Sequence, residues 1–100
     1  MSTLEQRLYL GDRAREVIEN EVFVDAFEQI QKEVIEQWTN SPARDAEGRE
    51  RLWTYLQMLK RLQAQLQQTM ESGQLARLDL EHKRGLMDKA KSLWNQGSFS

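Results

Sequence analysis

Apolar or small residues recur at Leu4, Leu8, Gly11, Ile18, Val22, Ala26, Ile30, Val34 and Trp38, mostly three or four apart, with Phe23 and Phe27 alongside. This is the period of an amphipathic helix, not of a strand. The stripe weakens at Glu19-Asn20-Glu21, where three polar residues meet and Asn has poor helix propensity, so a kink is expected near Asn20. Thr39-Asn40-Ser41-Pro42-Ala43-Arg44-Asp45 reads as a loop, because Pro ends the preceding pattern and the short polar side chains offer caps. Two N-caps are open for the next helix: Ser41, with Pro42 in the first turn, or Asp45.

From Leu52 the apolar positions run Tyr55, Leu56, Leu59, Leu62, Leu66 and Met70, with Leu52, Leu59 and Leu66 seven apart as in a coiled-coil seam. Ser72-Gly73 is expected to stop this helix, since Gly readily takes the left-handed conformation that closes one. Beyond it Leu75, Leu78, Leu80, Leu86, Met87, Ala90, Leu93 and Trp94 are spread among charges, with Gly85 interrupting, which predicts a weaker third helix. Asn95-Gln96-Gly97-Ser98-Phe99-Ser100 reads as a frayed tail carrying one aromatic. The expected fold class is therefore all-α: a long antiparallel helical hairpin with a weaker third C-terminal helix, which could complete a bundle in an oligomer.

Length adds a constraint, because at 1.5 Å per residue the Leu4–Trp38 stripe is about 52 Å long and the Ala46–Ser72 helix about 40 Å. Unless the first helix folds back at Asn20, the apolar face around Leu4, Leu8 and Ile18 needs the third segment or another chain against it. One hundred residues without Cys, 39% hydrophobic and 30% charged, make one small domain with a marginal core. Charge divides that domain. Residues 1–74, the hairpin, hold nine Lys and Arg against thirteen Asp and Glu, whereas residues 75–100, the helical segment and tail, hold five against three. An acidic body thus carries a basic end.

Little in the chain promises chemistry. A single His and no Cys leave no nucleophile–base pair, no Gly-rich phosphate loop is present, and no cofactor or small-molecule substrate is expected. Asp79-x-x-His82 puts a carboxylate and an imidazole on one helical face, a motif that only a dimer could extend to a metal site; the plainer reading is a solvated His in a charged helix. The N-terminal residues are too charged for an export signal and no stretch is apolar enough to span a membrane, so a cytoplasmic location is expected.

Trp53 sits about 100° round the helix from Leu52, outside the seam. It has two readings: packing on the loop or on Arg49, four residues earlier, through a cation–π contact, or serving as a binding anchor. Trp38 falls on the stripe and is expected in the core. Partner-binding candidates are Leu4, Leu8, Ile18, Trp53 and Trp94, together with the basic residues Arg77, Lys83, Arg84, Lys89 and Lys91.

The run Ala14-x-x-Val17-Ile18-x-Asn20 through Val22-Phe23-x-x-Ala26-Phe27, then Trp38-x-x-Ser41 and Asp45-x-x-Gly48-Arg49-Glu50-x-Leu52-Trp53, resembles small helical-hairpin proteins encoded among the virion-assembly genes of tailed bacteriophages. The resemblance covers residues 14–75 and implies a non-enzymatic part in head or virion assembly, as an accessory or scaffold-like factor. A phage protein of this kind would act in the host cytoplasm or within the particle. Self-association or docking on a larger protein assembly is the first expectation. The alternative is a small nucleic-acid-binding packaging or regulatory factor using the basic C-terminal segment, although five scattered cations fall short of a dense patch.

Overall fold

The computed structural model describes residues 3–97, with side chains as far as Asn95. The described chain is all-α, with helices α1 (Leu4–Glu19), α2 (Glu21–Asn40) and α3 (Ala46–Gly97) and no strand among the described residues. A capping box opens α1: Thr3 Oγ1 accepts from the Gln6 N–H at 3.1 Å and Gln6 Oε1 accepts from the Thr3 N–H at 2.9 Å. Asn20 both ends α1 and starts α2. Its backbone is extended (φ −71°, ψ 120°) and its Oδ1 accepts from the Phe23 N–H at 2.9 Å. The expected kink is therefore a shared cap, made by the local hydrogen bonding that renders Asn a poor interior helix residue.

Of the two candidate caps for α3, Asp45 is used: its Oδ1 accepts from the Gly48 N–H at 3.1 Å. Ser41 closes α2 instead, donating from Oγ to the Trp38 carbonyl at 2.6 Å. The turn between them lets α2 run antiparallel along the first part of α3. Val34 and Trp38 share a groove with Leu52 and Leu56 near the turn, while Phe23 and Phe27 share one with Gln63 and Leu66 further along. Leu52, Leu56, Leu59, Leu66 and Met70 are half-buried along the hairpin, whereas Tyr55 and Leu62, placed in the seam by spacing, lie exposed on its flank.

α1 packs on α3 through its smallest residues. Among the described residues four are buried, namely Gly11, Ala14, Gly73 and Ala76, and all four belong to this one crossing. A Cβ added to Gly11 would stand 2.6 Å from the Gly73 Cα, and one added to Gly73 would stand 2.6 Å from the Gly11 Cα and 3.0 Å from the Arg7 carbonyl oxygen. Backbone meets backbone here, closer than the 8–10 Å between axes of ordinary helix pairs would permit side chains to intervene. Two arginines flank the contact. Arg7 donates from Nε to Ser72 Oγ at 2.9 Å and from Nη2 to the Ser72 carbonyl at 3.1 Å, and Arg77 Nη2 meets Asp12 Oδ1 at 3.1 Å.

This crossing corrects the expected stop at Ser72-Gly73. α3 runs unbroken for 52 residues, about 78 Å. No glycine among the described residues has positive φ, so Gly73 does not close a helix; its missing side chain serves to admit α1. The expected third helix is the outer end of α3, here called the arm, residues 78–97. Asn95-Gln96-Gly97, assigned to a frayed tail, belong to that helix, while Ser98, Phe99 and Ser100 lie outside the described residues. The rod measures 85 × 25 × 17 Å with a radius of gyration of 23.1 Å, against about 13 Å for a compact domain of this length.

Candidate interaction surfaces

Trp38, expected in the core, is 42% exposed at the tip of the hairpin. The Arg49 guanidinium stacks 4.2 Å from the centre of its ring and donates from Nη1 to the Trp38 carbonyl at 3.2 Å, the Ser41 carbonyl at 3.2 Å and Ser41 Oγ at 2.8 Å. One cation thus satisfies the carbonyls that α2 leaves open at its C-terminus and complements the negative end of its dipole. Arg49 is committed to Trp38, not to Trp53. Trp53 stays 56% exposed and, with Val34, Ile35, Trp38, Leu52 and Leu56, lines an apolar groove of about 310 Å³. It packs beside this groove near the hairpin tip with more than half of its surface exposed.

Leu4, Leu8 and Ile18 are half-buried within the fold. The break at Asn20 folds α1 back onto the middle of α3, beside Gln65, Thr69, Ser72, Gly73 and Arg77, so the cover which their apolar face required comes mainly from the Ala46–Ser72 stretch and not from the expected third segment. Ile18 lies in the groove it shares with Phe23 and Leu66.

The arm has no such cover. Leu86, Met87, Leu93 and Trp94 are all more than half exposed, Trp94 reaching 78%. Counting about 100° per residue from Leu80, the residues Met87, Trp94, Ala90, Leu86 and Leu93 fall within one arc of about 140°, while Glu81, Arg84, Gly85, Asp88 and Lys91 fall on the other side. Lys83 stands inside the apolar arc, Lys91 and Arg84 border one edge, and Lys89 lies beyond the other. Of the basic candidates, Arg77 is joined to Asp12 at the crossing and Lys83 lies 3.8 Å from Asp79, one turn earlier. Arg84, Lys89 and Lys91 are exposed. His82 is exposed as well, and no group of three His, Asp or Glu side chains is brought together among the described residues.

α2 carries a second uncovered stripe. Val22, Ala26 and Ile30, four residues apart, are exposed on the side turned away from the hairpin grooves, Val22 at 77%. Glu33 lies within this stripe and accepts a hydrogen bond from Gln29 Nε2 at 3.2 Å, and Glu36, Asp25 and Lys32 line one side of it. No protein-family model, curated protein or solved structure matches this chain. None of its described helices is long and apolar enough to cross a membrane.

Sequence reasoning gave Arg7, Asp12 and Ala76 no role in the fold, took Gly11 only as a stripe position and read Ser72-Gly73 as a helix stop, so it missed the pair of Gly-x-x-Ala steps, Gly11 to Ala14 and Gly73 to Ala76, that make the crossing. The repeated spacing of small residues was the available signal. It stands out only once two helices are known to face each other.

Proposed function

We propose that this chain is a non-enzymatic helical interaction protein, serving as an accessory or scaffold-like factor in the virion assembly of a tailed bacteriophage, in the host cytoplasm or in the particle itself. The observation that carries this reading is the apolar surface left uncovered along an extended rod, Val22 at 77% and Trp94 at 78% exposure among it. The accessible surface is 8346 Å², against roughly 5,900 Å² for a compact monomer of this mass. The excess is larger than the ~800 Å² that each partner contributes to a standard interface. Catalysis finds less support, since Glu28 and Glu5 each line a groove with no second carboxylate or His beside them among the described residues.

A nucleic-acid role also has less support, because Arg77 faces Asp12 and the arm's apolar side has no aromatic row among its cations beyond Trp94. Equilibrium sedimentation with a hydrophobic dye tests the proposal. Concentration-dependent association, or strong dye binding by a monomer, is expected; a monomer at every concentration that binds no dye would count decisively against it. Salt-sensitive binding to duplex or single-stranded DNA would transfer support to the alternative.

A further inference from the structure

We infer that the partner of the arm is a second copy of this chain, and that each arm lies along the outer face of the other copy's α2 in a reciprocal dimer. The inference rests on the interaction-protein reading above and names the occupant. Three observations carry it. First, the two uncovered faces are alike in length and character: the arm has 20 residues and α2 has 20, each about 30 Å long, and each shows a narrow apolar stripe, Leu80-Met87-Trp94 with Leu86 and Leu93 on one, Val22-Ala26-Ile30 on the other.

Second, their borders are of opposite charge. Lys91 and Arg84 border the stripe of the arm on one side and Lys89 lies beyond the other, the Lys83 within it being paired with Asp79, while Glu33 lies within the stripe of α2 and Glu36 and Asp25 line one side of it, with Lys32 next to Asp25. Such complementarity steers encounter and selects register, whereas like charges set face to face disfavour a pairing. Two arms laid antiparallel on each other would bring Lys83 of one near Lys91 of the other, so the charges favour α2 over a second arm.

Third, the covered and uncovered faces of α3 are continuous. Ala76, sealed at 0% exposure beneath α1, and Met87 and Trp94 lie within about 20° of one another round the helix axis. The arm therefore extends a surface that already receives a helix. It cannot reach its own α2, because α3 is unbroken and α2 lies beside its opposite end. A second copy running the other way places both arms against both α2 helices at once, and this closure by a two-fold axis ends the assembly at a dimer.

Charge reversal in two separately purified full-length variants tests the arrangement. One carries Glu33→Lys with Glu36→Lys, the other Lys83→Glu, Arg84→Glu and Lys91→Glu. Sedimentation equilibrium of the wild type is expected to show a dimer, and each variant alone is expected to dissociate at least tenfold more readily, since both of its contacts become repulsive. Mixing the two in equal amounts restores both contacts and is expected to restore the dimer, a result that also shows each variant to be folded. A wild-type dimer that neither reversal weakens overturns the arm-on-α2 contact while leaving self-association intact. Dimer loss in both variants without rescue on mixing overturns it too. A wild type that stays monomeric at high concentration overturns it as well, whether its arm binds anionic phospholipid vesicles, DNA or nothing; retained dye binding would then leave the broader interaction reading standing.

Discussion

Gly73 and Gly85 lie on the same helix and have opposite uses. At Gly73 an added Cβ would strike the backbone of α1, with the Gly11 Cα at 2.6 Å, whereas at Gly85 it would meet nothing within 4 Å. The inner length of α3 is covered where its face carries Gly73 and Ala76, and beyond the half-buried Leu80 the arm is uncovered although it carries Leu86, Met87, Leu93 and Trp94. Coverage by α1 thus follows the space available to a second backbone, not the amount of apolar surface offered. The larger side chains of the arm leave no room for a second backbone at the distance that Gly11 and Gly73 allow, which is why the proposed partner helix would sit at ordinary packing distance.

The sharpest way to break this contrast is Gly73→Leu. Forcing a branched side chain into a backbone contact is expected to cost about 3 kcal/mol and to release α1. Urea unfolding followed by circular dichroism, with hydrogen exchange of α1 amides, reads both effects. A stability within error of the wild type would show that the crossing does not organise the fold. Arg7→Ala comes next. It removes two charge-assisted hydrogen bonds to Ser72 from a half-buried site and should lower the same unfolding free energy by about 1.5 kcal/mol.

Gly85→Ala reverses the sign. With open space around the position, the gain in helix propensity should stabilise the arm by about 0.5–1 kcal/mol, seen as slower exchange of arm amides. A loss of protection there would mean that Gly85 has a packing role hidden from the isolated chain. The smallest effect is expected for Arg77→Ala: its pair with Asp12 is well exposed, so about 0.5 kcal/mol or less should be lost, and the loss should vanish in high salt. A larger, salt-insensitive loss would promote this ion pair from trim to a support of the crossing.

Much of the secondary structure was legible along the chain. Three- and four-residue spacing specifies helices wherever it persists, and Asn20, Pro42 and Asp45 interrupt it through hydrogen bonding and ring geometry that act within a few residues. Those are local effects, so reading them needs no knowledge of the fold. The capping box of Thr3 and Gln6 is equally local but was missed, Thr3 lying just ahead of Leu4, the first apolar stripe position that was read. Trp38 was misplaced for a different reason: its stripe position was right, but the turn brought Arg49 over its ring and left it at the tip, not in a core.

The sequence by itself determined the helical period, the two breaks and the division between an acidic body and a basic end. Each follows from the chemistry of neighbouring residues. Only the tertiary structure decided what Gly73 does, because a glycine that stops a helix and a glycine that admits one look the same until the opposing backbone is present. α1 folding back at Asn20 supplied that backbone; with its contact, α3 continued through Gly73 as one helix and its outer length became an arm, bearing an apolar face that none of the described residues covers.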